Sequence, residues 1–286
     1  MSVGAVIVHF ETPSELSDCL TSLKEQPITQ TVVFDNSRTE QARDQTRLLC
    51  KEHEVSMFPS SHNVGFAAGC NRAVAQLSSE VDYLLFVNPD AQLHEGTVAA
   101  LLSYLAQEPT VGAVNPVIYL PDSQVWFSGG KLIRRLARLI QYSKAPNTSE
   151  PLNTDWVNGC VLLARRAAFE QVRGFDERYF LYWEDVVLSL RLREAGWHLA
   201  VVPEAKATHL RGEGASAEAI SLVQLEHSMR SRLQFVRREL SMDERATALP
   251  YTAVNFVRLV MRGRRGQASL VSGFKAACRG IRGVAS

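Results

Sequence analysis

The chain has 286 residues, 46% apolar and 21% charged, enough for one substantial core of ordinary soluble composition. No window holds 18 uninterrupted apolar residues, so no spanning helix is predicted. Five scattered cysteines (Cys19, Cys50, Cys70, Cys160, Cys278) form no C-x-x-C pair, which argues against a disulfide frame or zinc site and for buried thiols in a reducing cytosol.

The amino-terminal residues run straight into a strand-like Val3–Val8 without a basic region, so no cleaved signal peptide is expected. Ser14 to Leu23 reads as a helix with Leu16, Leu20 and Leu23 on one face. Thr31 to Phe34 is a second strand, Gln41 to His53 a helix, and Val55–Phe58 a third strand. A glycine-rich loop leads into a helix from Asn71 to Leu77. Tyr83 to Val87 is apolar throughout, the pattern of a strand buried on both faces of a parallel sheet. Thr97 to Gln107 is helical and Val111–Val114 a strand. This alternation predicts an α/β fold with a parallel, doubly wound sheet.

The second half is less regular. Asp122 to Leu152, with Gly129-Gly130, clustered arginines and two prolines, is expected to be a mobile loop region. Trp156 to Val172 reads as strand then helix, Phe180 to Gly196 as loop, acidic pair and helix, and Ala200–Val202 as a strand. From Ser221 onward there are 12 Lys and Arg against 4 Asp and Glu, a local net charge of +8 that leaves −7 on the remainder. Basic residues are interleaved with apolar ones in Val254 to Arg262 and again in Leu270 to Ile281. Such a pattern fits contact with an anionic membrane surface, or equally a solvated basic helix face. No nucleic-acid recognition module is visible, so nucleic acid is not expected as a partner.

Five groups of residues carry candidate chemistry. Pro89 ends the fourth strand and delivers Asp90 to the carboxyl edge of the sheet, where open α/β folds bind ligands. A carboxylate there suits a divalent cation shared with a diphosphate; a plain Asn-Pro-Asp turn is the alternative. Asp35, with Asn36 at the end of the second strand, can accept a base N–H or ribose hydroxyl, or simply form a turn. Asn63-x-Gly65-Phe66-Ala67-x-Gly69-x-Asn71 allows close backbone approach and offers helix-start N–H groups to a phosphate, although it matches neither a P-loop nor a dinucleotide fingerprint. In Tyr182-Trp183-Glu184-Asp185, aromatic neighbours can desolvate a carboxylate and suit it to general-base work, while helix capping is the competing explanation. His209 could join Asp90 at a Mn²⁺ or Mg²⁺ site, or be structural.

In order and spacing these segments resemble the family 2 glycosyltransferases, most closely a bacterial rhamnosyltransferase-like branch. The match runs from about residue 3 to 216 through Val6 to Phe10, Val33 to Ser37, the Asn63–Asn71 loop, Asn88-Pro89-Asp90, Asn158-Gly159-Cys160, Gly174 to Glu177, Tyr182 to Asp185 and His209. It implies a GT-A fold, with a Rossmann-like nucleotide half over residues 1–115, an acceptor half over 116–216, a mixed sheet, and a helical basic segment over 217–286.

The resemblance further implies an inverting enzyme that moves a sugar, first of all rhamnose from dTDP-rhamnose, from a nucleotide diphosphate to a glycan or polyprenol-linked acceptor. Such work would belong to cell-surface polysaccharide synthesis, in the cytoplasm or at the inner face of the membrane. Asp185 is then the catalytic base, and Asp90 and His209 hold Mn²⁺ or Mg²⁺. Asp35, His9, Glu11, Asn63, Gly65 and Phe66 are expected to bind substrate. Asn71, Asn88, Trp183 and Glu184 are expected to share that role. The chain departs from the family at Val187, where a second acid often stands, and at Phe10-Glu11, where Tyr-Asn is frequent. A sugar nucleotidyltransferase would show a basic, glycine-rich loop after the first strand, where His9 to Pro13 stands instead. A non-catalytic scaffold in a glycan-assembly complex is the remaining alternative.

Overall fold

A computed structural model describes residues 1–210 and 222–263. The glycine-rich stretch from Arg211 to Ser216, the basic stretch from Leu270 to Ile281, and Cys278 lie outside the described residues.

In chain order the first half contains β1 (Val3–His9), α1 (Pro13–Leu23), β2 (Gln30–Asp35), α2 (Glu40–Glu52), β3 (Ser56–Pro59), α3 (Phe66–Val74), β4 (Tyr83–Val87), β5 (Ala91–Leu93), α4 (Thr97–Gln107) and β6 (Val111–Tyr119). There follow β7 (Val125–Phe127), β8 (Gly130–Ile133), a 3-10 turn at Arg134–Leu136, β9 (Arg138–Gln141), β10 (Leu152–Asn153), β11 (Val161–Arg165) and α5 (Arg166–Gln171). The last elements are α6 (Glu184–Glu194), β12 (His198–His209), α7 (Leu222–Arg238) and α8 (Met242–Gly263).

The main sheet runs β10-β12-β6-β11-β4-β1-β2-β3. Strands β4, β1, β2 and β3 are mutually parallel, as the alternating pattern predicts. β11 enters antiparallel between β4 and β6, so the sheet as a whole is mixed. Both faces are covered: every residue of β1 and β4 is buried, which is why these strands read as unbroken apolar runs. On one face Leu16 and Leu20 of α1 and Leu101 of α4 pack on the sheet. On the other Ala67 and Cys70 of α3, Phe169 of α5 and Leu188 of α6 do so. There the Phe86 ring lies 5.2 Å from Phe169 and 5.1 Å from Phe175, contacts worth about 0.5–1.5 kcal/mol each beyond area burial.

Three expectations change. The segment from Asp122 to Leu152 is not structureless, because β7 joins β6 and β8 pairs with β9 in a hairpin. Its glycines and prolines masked a short alternation in which Gly130 and Leu132 face inward while Lys131 is exposed. Helix α3 starts at Phe66 and not at Asn71, since Gly65, at φ +88°, is its N-cap. Strand β12 spans twelve residues and ends on His209 instead of stopping at Val202. A register shift between Val202 and Lys206 carries the chain past Pro203, as irregular ladders allow.

Among the described residues no helix is long and apolar enough to cross a membrane. Cys19, Cys50, Cys70 and Cys160 are buried free thiols, as expected.

Candidate active site

A cleft of about 290 Å³ opens at the carboxyl ends of β1, β2 and β4. β1 sits between β2 and β4, so this is where successive connections leave in opposite directions and a crevice forms outside the sheet. Val8 lines it from β1, Phe10 and Asn36 from just past the ends of β1 and β2, and Asn88, Pro89 and Asp90 from the turn after β4. Asn63, Gly65 and Phe66 line it as well, together with Phe180 and Leu181.

Side-chain alternation along a strand decides which of the expected residues reach this cleft. Val8, Phe10 and Asn36 face it, so His9 and Asp35, paired in register across β1 and β2, face away. Both side chains are fully buried. His9 Nε2 accepts the Thr12 N–H, which leaves Nδ1 to donate to Asp35 Oδ1 at 2.9 Å. Burial alone would raise the Asp35 carboxyl, but hydrogen bonds from His9 and Ser37 hold it below the usual range. The pair braces two loops from behind the cleft wall, and neither residue lines the cleft itself. Glu11 is also outside the cleft. It is exposed, with φ +55°, and its carboxylate accepts the Arg38 N–H.

The glycine-rich loop is shaped by its own hydrogen bonds. Asn36 takes the Val64 N–H and donates to the Gly65 carbonyl, Asn63 accepts the Gly65 N–H, and the Phe66 N–H goes to the Phe180 carbonyl at 2.8 Å. The N–H groups of Val64, Gly65 and Phe66 are therefore engaged internally. Asn71 is likewise structural: its amide donates to the Phe175 carbonyl and accepts the Phe175 N–H.

Asp90 and His209 do meet. The imidazole Nε2 is 3.2 Å from Asp90 Oδ2, because β5 pairs antiparallel with the end of β12 and sets His209 opposite Ala91. Burial disfavours the imidazolium, but contacts with Cys160 and Asp90 reverse this and raise the His209 pKa.

Asp185 lies in the first turn of α6, and the preceding residues explain its placement. Tyr182 and Trp183 both have positive φ (66° and 69°), a costly conformation for aromatic residues that holds only where packing enforces it. Trp183 is buried against Phe235 of α7, with ring centroids 4.7 Å apart. It packs in the core and does not line the cleft. Asp176 ties α6 in place by accepting from Arg191 at 2.6 Å. Asp185 Oδ2 accepts the Gly159 N–H at 3.1 Å and Oδ1 the Val186 N–H at 2.8 Å.

Burial raises the Asp185 pKa to about 6 against the lowering effect of those two N–H groups. Glu184 is buried with Oε2 unpartnered, and burial plus the neighbouring Asp185 push its pKa well above the ordinary range. The acidic pair is thus both a helix first turn and a desolvated pair. Gly159 links Asp185 to the cleft: a Cβ there would sit 3.6 Å from the Asp185 Cβ and 3.5 Å from the Phe66 ring. Next to it, the Cys160 carbonyl accepts the Asn88 N–H.

One positioning residue escaped the sequence reading. Asn115, fully buried on β6, accepts the Asn158 N–H and donates to the Asn158 carbonyl, and so holds the turn that presents Gly159. Its only sequence signal was a polar residue within an apolar strand.

Residues 5–173 match the family model of glycosyl transferase family 2. The chain belongs to that family. It is 33% identical over 201 residues to the N-acetylglucosaminyl-diphospho-decaprenol L-rhamnosyltransferase of Mycobacterium tuberculosis, covering 60% of this chain and 64% of that protein. It is 29% identical over 184 residues to rhamnosyltransferase WbbL of Escherichia coli, covering 56% of this chain and 66% of the relative. The family 2 chain therefore spans less than two thirds of the length of these relatives. A crystal structure of GalNAc-T7 with UDP, GalNAc and Mn²⁺ superposes at a TM-score of 0.65 over 83% of this chain and 48% of that one, at 16% identity. The shared fold is GT-A.

Proposed function

We propose that this family 2 protein is an inverting glycosyltransferase that moves a sugar, rhamnose from dTDP-rhamnose in the first instance, onto a lipid-linked glycan at the cytoplasmic face of the membrane. The observation that supports this reading best is the Asp90–His209 pair at a cleft that Asp90 lines, at the switch point of the sheet, together with the desolvated Asp185 carboxylate bonded to Gly159 beside the turn that holds Asn88 of the cleft wall. The names of the two rhamnosyltransferase relatives, one with a diphospho-decaprenol acceptor, support the donor and acceptor classes.

A divalent cation fits the donor set. Asp90 Oδ2 and His209 Nε2 are hard and borderline donors 3.2 Å apart, a combination Mn²⁺ accepts. Such a cation keeps several waters and takes substrate phosphate oxygens beside one or two protein ligands. When bound, the cation would neutralise charge developing on the leaving nucleoside diphosphate. Asp185 takes the proton of the acceptor hydroxyl. That oxygen forms its bond to the anomeric carbon on the face opposite the diphosphate, whose bond to the sugar breaks. Asn36, Asn63 and Asn88 supply polar contacts along the cleft, and the Phe66 and Phe180 rings supply apolar walls.

The test is release of nucleoside diphosphate from dTDP-rhamnose with and without a polyprenol-linked acceptor and Mn²⁺. Acceptor- and metal-dependent release is expected. No release from any of a panel of dTDP-, UDP- and GDP-sugars would refute the reading.

A further inference from the structure

We propose that the outward face of α8 is a docking surface for an anionic lipid bilayer, a reading that deepens the proposed action on a lipid-linked acceptor and rests on it. Ala246, Leu249, Pro250, Ala253, Val254 and Val257 are all exposed. At 100° per residue they fall on one side of the helix. Leu249, Val254 and Val257 are 47%, 50% and 54% exposed, an unusual fraction for three branched apolar side chains on one element.

The opposite side is occupied, with Ala248 and Thr252 buried, and on the flank of the stripe the Thr247 hydroxyl donates to the Arg135 carbonyl. α8 is thus anchored through one side to the turn at Arg134–Leu136 and to α7, where Arg232 lies 5.3 Å over the Tyr251 ring. The outward side has no partner among the described residues.

Charge selects the occupant. From Arg245 to the end of the chain there are eight Lys and Arg and no Asp or Glu. A second copy of this chain would carry the same basic carboxyl-terminal sequence, a like charge that opposes self-association. A bilayer rich in anionic lipid supplies the complementary charge beside an apolar interior. An exposed apolar stripe running into a cationic segment is the pattern of a helix that lies in the membrane interface. Being too polar to span, α8 would rest with its outward residues at the headgroup boundary.

The experiment is co-sedimentation of the full chain with phosphatidylglycerol–phosphatidylcholine vesicles and with phosphatidylcholine vesicles alone. Binding to the anionic vesicles only, weakened by salt, is expected. Leu249→Glu and Val257→Glu should each lower that binding about tenfold or more, whereas Leu48→Glu, on the exposed side of α2, should leave it unchanged. Because these positions face solvent, thermal melting should be unaltered. Val257→Trp provides a second readout, with its emission shifting to the blue on anionic vesicles. Absence of vesicle binding overturns the inference. So does binding unaffected by Leu249→Glu and Val257→Glu, and so does an emission already blue-shifted without lipid, which would mean that another part of the chain covers the stripe. Transfer to a detergent-dispersed acceptor separates the two proposals: if transfer persists while docking fails, only the docking surface falls, and if docking persists without transfer, only the enzymatic reading does.

Discussion

The Asp185 carboxylate receives the backbone N–H of Gly159 at 3.1 Å although 26 residues separate them. That bond joins the start of α6 to the turn before β11, and the turn in turn holds Asn88 through the Cys160 carbonyl. The position of Asp185 relative to the cleft is therefore a property of three segments, not of the Glu-Asp pair alone.

Replacement of Asp185 by Asn keeps the shape and removes the base. Turnover should fall by about 10²–10⁴-fold, with donor affinity, measured by thermal stabilisation with nucleotide sugar, little changed. Retained turnover would take Asp185 out of the proposed role.

The pH dependence follows from the raised pKa of about 6. A base works deprotonated, so kcat should be level at neutral pH and fall as pH drops through about 6. For stability the sign is opposite to that of an ion-paired acid. The folded state holds the proton more tightly than the unfolded chain, so stability declines as pH rises from the ordinary carboxyl range toward the folded value. Glu184, pushed further in the same direction, adds to that decline. Glu184→Gln should melt no lower than the parent at neutral pH and should flatten the pH–stability curve, which pH-scanned thermal melts would show.

Asp90→Asn and His209→Ala should each weaken metal-supported turnover at limiting Mn²⁺ by about tenfold or more. Added Mn²⁺ should recover part of the loss, and a chelator should abolish release in the parent. A metal titration identical in parent and variants would remove the pair from cation binding.

Gly65 has no room for a side chain. At φ +88° a Cβ would lie 2.5 Å from the Phe180 carbonyl oxygen, and backbone of this kind cannot yield cheaply. Gly65→Ala should cost about 1–3 kcal/mol or more and open the hydrogen bond between Phe66 and Phe180. Chemical denaturation and donor KM are the readouts.

Asn115→Ala would strip the Asn158 N–H and carbonyl of their buried partners, at a cost of about 1–3 kcal/mol. If Asn115 positions Gly159, kcat should fall more than donor KM rises, and the acid limb of the pH profile should shift, which a purely structural loss would not produce.

The parallel core was legible in the residues themselves. Continuous apolar runs such as Tyr83–Val87 can be buried only between covering layers, and Pro89 marks the strand end. Thr97 to Gln107 was predicted with the bounds observed for α4, because its apolar spacing has no competing turn signal. The Asp122–Leu152 segment was not legible, since its glycines and prolines signal loop while the β8–β9 hairpin packs by a distant contact, with the Trp156 indole nitrogen leaving no space for a Cβ at Gly130.

By itself the chain determined which residues could form strands and helices, that acids stand at strand and helix ends, and that the carboxyl-terminal part is basic, because these depend on local spacing and composition. Tertiary structure alone decided which of the candidate residues reach the cleft and which support it from behind. Strand register turned Asn36 inward and Asp35 away. Pairing of β5 with β12 brought His209 to Asp90 across 119 residues. Packing of α7 on Trp183 stabilised the left-handed turn that sets Asp185. Each is a contact between distant segments, whose free energy exists only once the chain has closed on itself.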